Sequence, residues 1–198
     1  MLKVTELFYT LQGEGHRTGT PTVFIRLQGC PVKHKCYASG VVCDTEFESG
    51  QVMGLEAILQ WMEQHASTVK SITWTGGEPL AQLTQATVAF FKEKGYEQAV
   101  ETSGFFPCPD GIDYISVSPK VAEHIVSKHF THVNELRYVR HIGQSIPQPA
   151  IKADHYYLSP HFDGNQINQA NLAHCIALCK QHPQWKLSVQ THKLINIL

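Results

Sequence analysis

Short strand-like runs alternate with helix-like segments along most of this chain, and this alternation most constrains its fold. Residues 21–27 (PTVFIRL), 71–75 (SITWT) and 114–117 (YISV) are rich in β-branched and aromatic residues, which is typical of strands. Residues 54–65 carry apolar residues at helical spacing. The pattern predicts an α/β fold of βαβ units with parallel strands, and about six such units form a partial or open barrel.

The remaining predicted elements continue the same alternation. Pro183 is expected to end the last helix. We expect further strands at residues 98–100, 134–140, 156–158 and 185–190, and further helices at residues 80–95, 121–130 and 167–182.

Polar motifs follow five of the predicted strands. TGGEP follows SITW, ETSG follows AV, SPK follows YISV, SP follows YYL, and QTHK overlaps the end of WKLSVQ. In a parallel β/α architecture the carboxyl ends of the strands lie at one edge of the sheet. We therefore expect these motifs to form one site.

Composition excludes several classes of function. The 198 residues carry a formal net charge of −1, so no global field attracts nucleic acid or a membrane surface. No apolar run approaches the length of a membrane span, and the first fifteen residues lack a signal-peptide pattern. We expect a single domain over residues 1–198 in the cytoplasm, where clustered cysteines indicate a metal or catalysis rather than disulfides.

Cys30, Cys36 and Cys43 form the most reactive cluster, in a loop at about residues 30–45. Three thiolates suit an iron–sulfur cluster with one open iron. The alternatives are a zinc site completed by His34 and a set of unrelated buried thiols. Cys175 and Cys179, four residues apart in a helical pattern, are interpreted as small core residues.

Three further motifs each allow two interpretations. In one interpretation, LQGEG (11–15) offers backbone groups to a flat polar ring and Arg26 offers its guanidinium to a carboxylate. In the other, LQGEG is a surface turn and Arg26 is a solvated arginine. Thr45, next to Asp44, suits Mg²⁺, or the pair caps the next element. The glycines of TGGEP let the backbone approach a ligand, and Glu78 could hold an amine, or the motif is a plain turn.

Together, FYTLQGEG, FIRLQGC, CDT, TGGEP, ETSG, SPK and the tail LSVQTHKLINIL resemble the 7-carboxy-7-deazaguanine synthase family of radical S-adenosylmethionine (SAM) enzymes, over essentially the whole chain. The resemblance implies an incomplete (β/α)6-type radical SAM partial barrel with parallel strands, usually a homodimer. It implies a lyase that converts 6-carboxy-5,6,7,8-tetrahydropterin to 7-carboxy-7-deazaguanine with loss of ammonia, in the queuosine (7-deazapurine) pathway. The implied cofactors are a 4Fe–4S cluster, SAM and Mg²⁺.

The resemblance also implies roles for particular residues, with the tail at about residues 190–198 closing over the substrate. Glu14 is a candidate acid–base residue. The implied cluster ligands are Cys30, Cys36 and Cys43, with Thr45 as the Mg²⁺ ligand; SAM contacts are Gly77, Ser118, Pro119, Lys120, Ser159 and Pro160; substrate contacts are Leu11, Gln12, Gly13, Arg26, Thr75, His192 and the terminal carboxylate of Leu198.

The sequence departs from the usual pattern at two places. Six residues separate Cys36 from Cys43, where the superfamily commonly has two, and Ser159 stands where glutamine is expected. Two alternative functions are a radical SAM activase that acts on a protein partner and a zinc-binding module without catalysis. For the main hypothesis we expect a small flavodoxin or ferredoxin as electron donor, and neither a nucleic acid nor a membrane as partner.

Overall fold

A nine-stranded, mostly parallel sheet forms the centre of the fold in the computed structural model. The structure describes residues 1–38, 43 and 45–197; for residues 36–38 it describes the backbone alone. The strands of the described chain are β1 Leu2–Leu11, β2 Pro21–Leu27, β3 Gln51–Met53, β4 Ser71–Gly76, β5 Glu97–Thr102, β6 Tyr114–Val117, β7 His132–Arg140, β8 Lys152–Pro160, β9 Phe162–Asp163, β10 Gln166–Ile167 and β11 Trp185–Leu187. The helices are α1 Lys33–Ala38, α2 Leu55–His65, the 3₁₀ turn Pro79–Ala81, α3 Gln85–Glu93, α4 Glu123–Val126, α5 Gln169–Gln181 and α6 Thr191–Leu194.

The strand order is β11-β8-β7-β6-β5-β4-β2-β1-β3. All neighbouring pairs from β2 to β11 are parallel, whereas β1 pairs antiparallel with both β2 and β3. The prediction of an α/β fold with parallel strands is therefore confirmed, and strands β2 and β6 coincide with their predicted ranges. The antiparallel edge made by β1 and β3 was not predicted.

Three predicted elements were too long. The helix expected at residues 80–95 is divided, because Thr84 caps α3 by accepting a hydrogen bond from the backbone N–H of Thr87. The helix expected at 121–130 is only the short α4, and the strand expected at 185–190 ends at Leu187.

The two faces of the sheet differ in character. On one face Trp74 is fully buried and meets Phe91 of α3 edge to face, with ring centroids 5.5 Å apart. The other face carries polar side chains, because alternate residues of a strand point to opposite faces. Arg26 pairs with Thr75, and Glu101 and Glu135 both pair with Ser116, so these residues share that polar face.

The residues predicted as small core cysteines lie on α5. Cys175 is fully buried, and Cys179 packs against the hydrophobic core, which confirms that interpretation. In the described part of the chain, none of the helices combines the length and apolar character that crossing a membrane requires.

Candidate functional site

Two adjoining cavities lie where the parallel strands end. The larger has a volume of about 590 Å³ and the smaller about 280 Å³. Both are lined by Glu14, Thr45, Glu101 and Gln190, so the two cavities share a wall. The residues predicted from the motifs divide between them.

The larger cavity is lined by two of the three cysteines and by most of the predicted SAM contacts. Cys30 and Cys43 both line it. For Cys36 the structure describes only the backbone, which belongs to α1. Asp44, beside Thr45, lies outside the described residues. Of the predicted SAM contacts, all except Pro119 line this cavity, namely Gly77, Ser118, Lys120, Ser159 and Pro160.

Ser159, at the end of β8, gives this cavity a polar group in need of a ligand. Its side chain is 3% exposed, and among the described residues its Oγ has no hydrogen-bond partner. A buried hydroxyl without a partner is costly, so such groups are normally satisfied by a ligand or a water molecule. Serine at this position is therefore compatible with a bound polar cofactor.

The TGGEP turn holds the cysteine loop against the end of β4. The backbone N–H of Gly77 donates to Leu27 (3.1 Å), and that of Glu78 donates to Gly29 (3.0 Å). A Cβ at Gly77 would lie 2.9 Å from the Cβ of Cys30, closer than ordinary contact allows. Glycine is thus required here because the two backbone segments touch.

Glu78 of the same turn has a structural function. Its carboxylate is 1% exposed and accepts hydrogen bonds from Thr102 Oγ1 (2.6 Å), the backbone N–H (2.8 Å) and hydroxyl of Ser103, and the backbone N–H of Leu80 (3.2 Å). It is not among the described residues that line either cavity. The suggestion that Glu78 holds an amine is therefore not supported, and the residue instead joins the TGGEP turn to the ETSG turn.

The smaller cavity contains the predicted substrate contacts. It is lined by Leu11, Gln12, Gly13, Arg26, Thr75 and His192. Phe8 and Phe24 stack in parallel at 5.0 Å and form part of its wall, with Arg26 above the Phe8 ring. Aromatic faces beside convergent polar groups are typical of a site for a flat heterocycle.

The C-terminal tail closes one side of the smaller cavity. The backbone N–H of Thr191 donates to the carbonyl of Gly13 (2.9 Å), and a Cβ at Gly13 would lie 2.7 Å from Cγ of His192. The tail and the LQGEG segment are therefore in direct contact. Leu198 lies outside the described residues.

An ionic cluster centred on a buried arginine borders both cavities, and the motif analysis missed it. Arg137 of β7 is 8% exposed; its Nη2 lies 3.1 Å from Glu101 Oε1 and 3.9 Å from Glu14 Oε2, and its Nη1 lies 3.3 Å from Glu135 Oε1. One signal could have revealed it: Glu135 and Arg137 occupy alternate positions of the predicted strand, on either side of Leu136, so both point to one face.

The cluster sets the charge state of its members. Burial raises the pKa of Glu101, but the charge of Arg137 and hydrogen bonds from Arg137, Gln12 and Thr75 outweigh it and lower the pKa below its ordinary value. Burial lowers the pKa of Arg137, but the neighbouring carboxylates, Glu14 first, raise it above its ordinary value. Glu101 is therefore an ionised carboxylate at neutral pH.

The chain is similar in sequence to known proteins. Residues 11–107 match the family described as a 4Fe-4S single cluster domain. The chain is 36% identical over 198 residues to the 7-carboxy-7-deazaguanine synthase of Bacteroides thetaiotaomicron, covering 100% of this chain and 99% of the relative. It is 35% identical over 210 residues to the protein of that name from Caulobacter vibrioides, covering 98% of each.

The fold likewise has a solved counterpart. The crystal structure of QueE from Escherichia coli superposes with a TM-score of 0.67 and 23% sequence identity, over 96% of this chain and 94% of that chain. At this identity the likeness supports the fold of the sheet and its helices.

Proposed function

The chain belongs to the 7-carboxy-7-deazaguanine synthase family and is a radical SAM lyase; from this premise we propose that it converts 6-carboxy-5,6,7,8-tetrahydropterin to 7-carboxy-7-deazaguanine with loss of ammonia, in 7-deazapurine (queuosine) biosynthesis. We further propose that the parallel strands form a (β/α)6-type radical SAM partial barrel within a single domain. One observation carries the proposal: the predicted cofactor contacts and the predicted substrate contacts line two different cavities that share a wall.

The donor set of the larger cavity fits an iron–sulfur cluster and SAM. Cys30 and Cys43 line it, and thiolates are the usual ligands of such clusters. Cys36 would be the third ligand, and three thiolates would leave the cluster able to bind the amino and carboxylate groups of SAM. When bound, the cluster and SAM supply the one-electron chemistry that removes a hydrogen atom from the substrate.

Other residues of this cavity bind and orient SAM. Gly77 brings a bare backbone next to Cys30, so that a small polar group can approach both. Ser118 and Lys120 of the SPK segment and Pro160 flank the same space, with Pro119 between the first two, and Ser159 supplies a hydroxyl that has no partner among the described residues. These contacts hold the cofactor beside the wall that faces the substrate.

Thr45 lies at the junction of the two cavities and is half-buried. A hydroxyl oxygen is a suitable ligand for Mg²⁺, which also retains water and binds substrate oxygens. We propose that Thr45 holds Mg²⁺ at this junction.

The smaller cavity binds and positions the pterin. Arg26 is held by its Nε bond to Glu6 (3.1 Å), and its two terminal nitrogens can donate to the substrate carboxylate. Gln12 and Thr75 orient the ring, and backbone groups of Leu11 and Gly13 complete its edge.

The tail and Glu14 complete the chemistry. His192, together with the terminal carboxylate of Leu198, closes the cavity and excludes water, which protects reactive species from side reactions. Glu14 lines both cavities, so we propose that its carboxylate moves the proton at the departing nitrogen. A cavity of about 280 Å³ suits a bicyclic ligand, which favours this substrate over a protein partner.

The proposal also covers partners and location. We propose a homodimer that acts in the cytoplasm and receives electrons from a flavodoxin or a ferredoxin.

The test is anaerobic reconstitution with iron and sulfide, followed by incubation with SAM, dithionite, Mg²⁺ and the carboxytetrahydropterin. We expect a brown protein and a product with the mass of 7-carboxy-7-deazaguanine, with one ammonia released for each product molecule. A matched Cys179→Ala variant should retain this activity and a Cys30→Ala variant should lose it. A colourless zinc protein without product would contradict the proposal.

A further inference from the structure

The only described cation in contact with Glu101 is Arg137, and it is held on three sides by carboxylates. Its side chain is 8% exposed, and that of Glu135 is 2% exposed. Glu135 has donors of its own, from Tyr114 Oη (3.1 Å) and the backbone N–H of His16 (2.8 Å). Glu101 likewise has only neutral partners besides Arg137 in the described part of the chain, so Arg137 is the cation that favours its charge.

Glu101 in turn bonds two of the side chains that line the smaller cavity. Its Oε1 accepts a hydrogen bond from Gln12 Nε2 (3.0 Å), and its Oε2 accepts one from Thr75 Oγ1 (3.2 Å). An ionised carboxylate can only accept hydrogen bonds, so both neighbours must donate. The charge on Glu101 thereby fixes the direction of both bonds.

The direction of these bonds determines what the cavity can receive. Gln12 Nε2 donates to Glu101, and Gln12 Oε1 accepts a hydrogen bond from the backbone N–H of Glu14 (3.1 Å). The Gln12 amide therefore has one orientation. Because the Thr75 hydroxyl donates its hydrogen bond to Glu101, only its lone pairs remain for a ligand. The cavity then presents an acceptor at Thr75 Oγ1, which suits a ring that carries an N–H group, while Gln12 Nε2 keeps its second hydrogen as a donor.

We propose that Arg137 is a positioning residue for substrate binding, which acts through Glu101 to hold the Gln12 amide in one orientation and to leave the Thr75 hydroxyl as an acceptor for an N–H group of the substrate ring. The inference rests on the proposed function, because it names the pterin as the ligand of the smaller cavity. Arg137 itself lines the larger cavity rather than the smaller one.

Removing the cation should make binding depend on pH. Without Arg137, burial raises the pKa of Glu101, and so do the charges of Glu14 and Glu135. As pH falls through this raised pKa, Glu101 gains one proton and becomes a donor at one oxygen, so one of the two bonds to its neighbours reverses. The other ionisable groups around this site are the same in every variant compared. They are Arg17 and Tyr114 beside the ionic cluster, Glu6, Arg26 and Glu46 beside the smaller cavity, His192 and Lys193 of the tail, and Cys30, Lys33, Cys43, Lys120, His161 and Asp163 beside the larger cavity.

The experiment measures kcat and KM for the carboxytetrahydropterin from pH 6 to pH 9, using reconstituted enzyme with SAM. For Arg137→Met we expect a KM at pH 6 about tenfold above its value at pH 9, with a much smaller change in kcat. Arg137→Lys should restore the wild-type profile to within about threefold, because the charge is retained. Arg140→Met, on the same strand but without contact to Glu101, is the matched control and should show the wild-type profile.

A Glu101→Gln variant gives an independent readout. Its amide donates at every pH, so its KM should be raised and should lack the additional pH dependence of Arg137→Met. Equilibrium binding of the pterin to each folded variant, measured by calorimetry, should follow KM. If Arg137→Met does not fold, Glu101→Gln and Arg137→Lys decide the question by the same criteria.

The inference is overturned if Arg137→Met has the pH profile of Arg140→Met, or if Glu101→Gln binds the pterin as wild type does. It is also overturned if Arg137→Lys is as impaired as Arg137→Met, since the charge would then not be the cause. Failure of the wild-type protein to bind or convert the pterin would instead refute the proposed function. The two failures are thus distinguishable.

Discussion

A Gly77→Ala substitution should displace the cysteine loop. The added Cβ would lie 2.5 Å from the carbonyl carbon of Gly29 and 2.9 Å from Cβ of Cys30. Relief of these overlaps requires the loop to move by about 1 Å. That movement strains the bonds from Gly77 to Leu27 and from Glu78 to Gly29, and losing both lowers the free energy of unfolding by about 2 kcal/mol.

The same movement should impair cluster assembly, because ligands must be held within about 0.5 Å of their productive positions. The assay is iron and sulfide per chain, together with the visible absorbance after reconstitution and a denaturant unfolding curve. Gly54→Ala is the matched control, since a Cβ there meets only Met1 Sδ at 3.7 Å. Equal iron content and equal stability in the two variants would refute the reasoning.

Three further perturbations test separate parts of the site. Glu78→Ala leaves buried donors such as the Ser103 N–H without a partner. The free energy of unfolding, measured by denaturant titration, should therefore fall by about 3–5 kcal/mol, and an unchanged midpoint would contradict this prediction. Burial, together with the charges of Asp110 and Glu78, raises the pKa of Cys108 to about 12. This thiol should therefore resist alkylation by iodoacetamide below about pH 9, measured by peptide mass spectrometry, and rapid labelling would contradict the prediction. Gly13→Ala should push His192 away and raise the KM for the pterin about tenfold, whereas an unaltered KM would show that the tail does not close the site.

The parallel part of the sheet was predictable because its strands contain short apolar runs and because β2, β4 and β6 are each followed by a helix or helical turn. Strand β1 was missed for a physical reason: its register with β2 shifts between Val4 and Glu6, so strict apolar alternation is interrupted. Strand β3 has only three residues and lies at the sheet edge, where no clear pattern is needed.

The site was predictable where its residues follow strands in short motifs. The separate cavities for cofactor and substrate contacts result from the position of β1 and the tail, which the motifs do not specify. The Arg137 cluster was missed because its partner Glu101 is 36 residues away on another strand, and only the register of β5, β6 and β7 places them together.

The most direct test of the account is the electron paramagnetic resonance spectrum of the reduced, reconstituted protein, recorded before and after addition of SAM. The account predicts a 4Fe–4S signal that changes with SAM, that disappears when Cys36 is replaced by alanine, and that survives replacement of Cys175. A cluster signal indifferent to SAM, or a protein that takes up zinc and no iron, would contradict it.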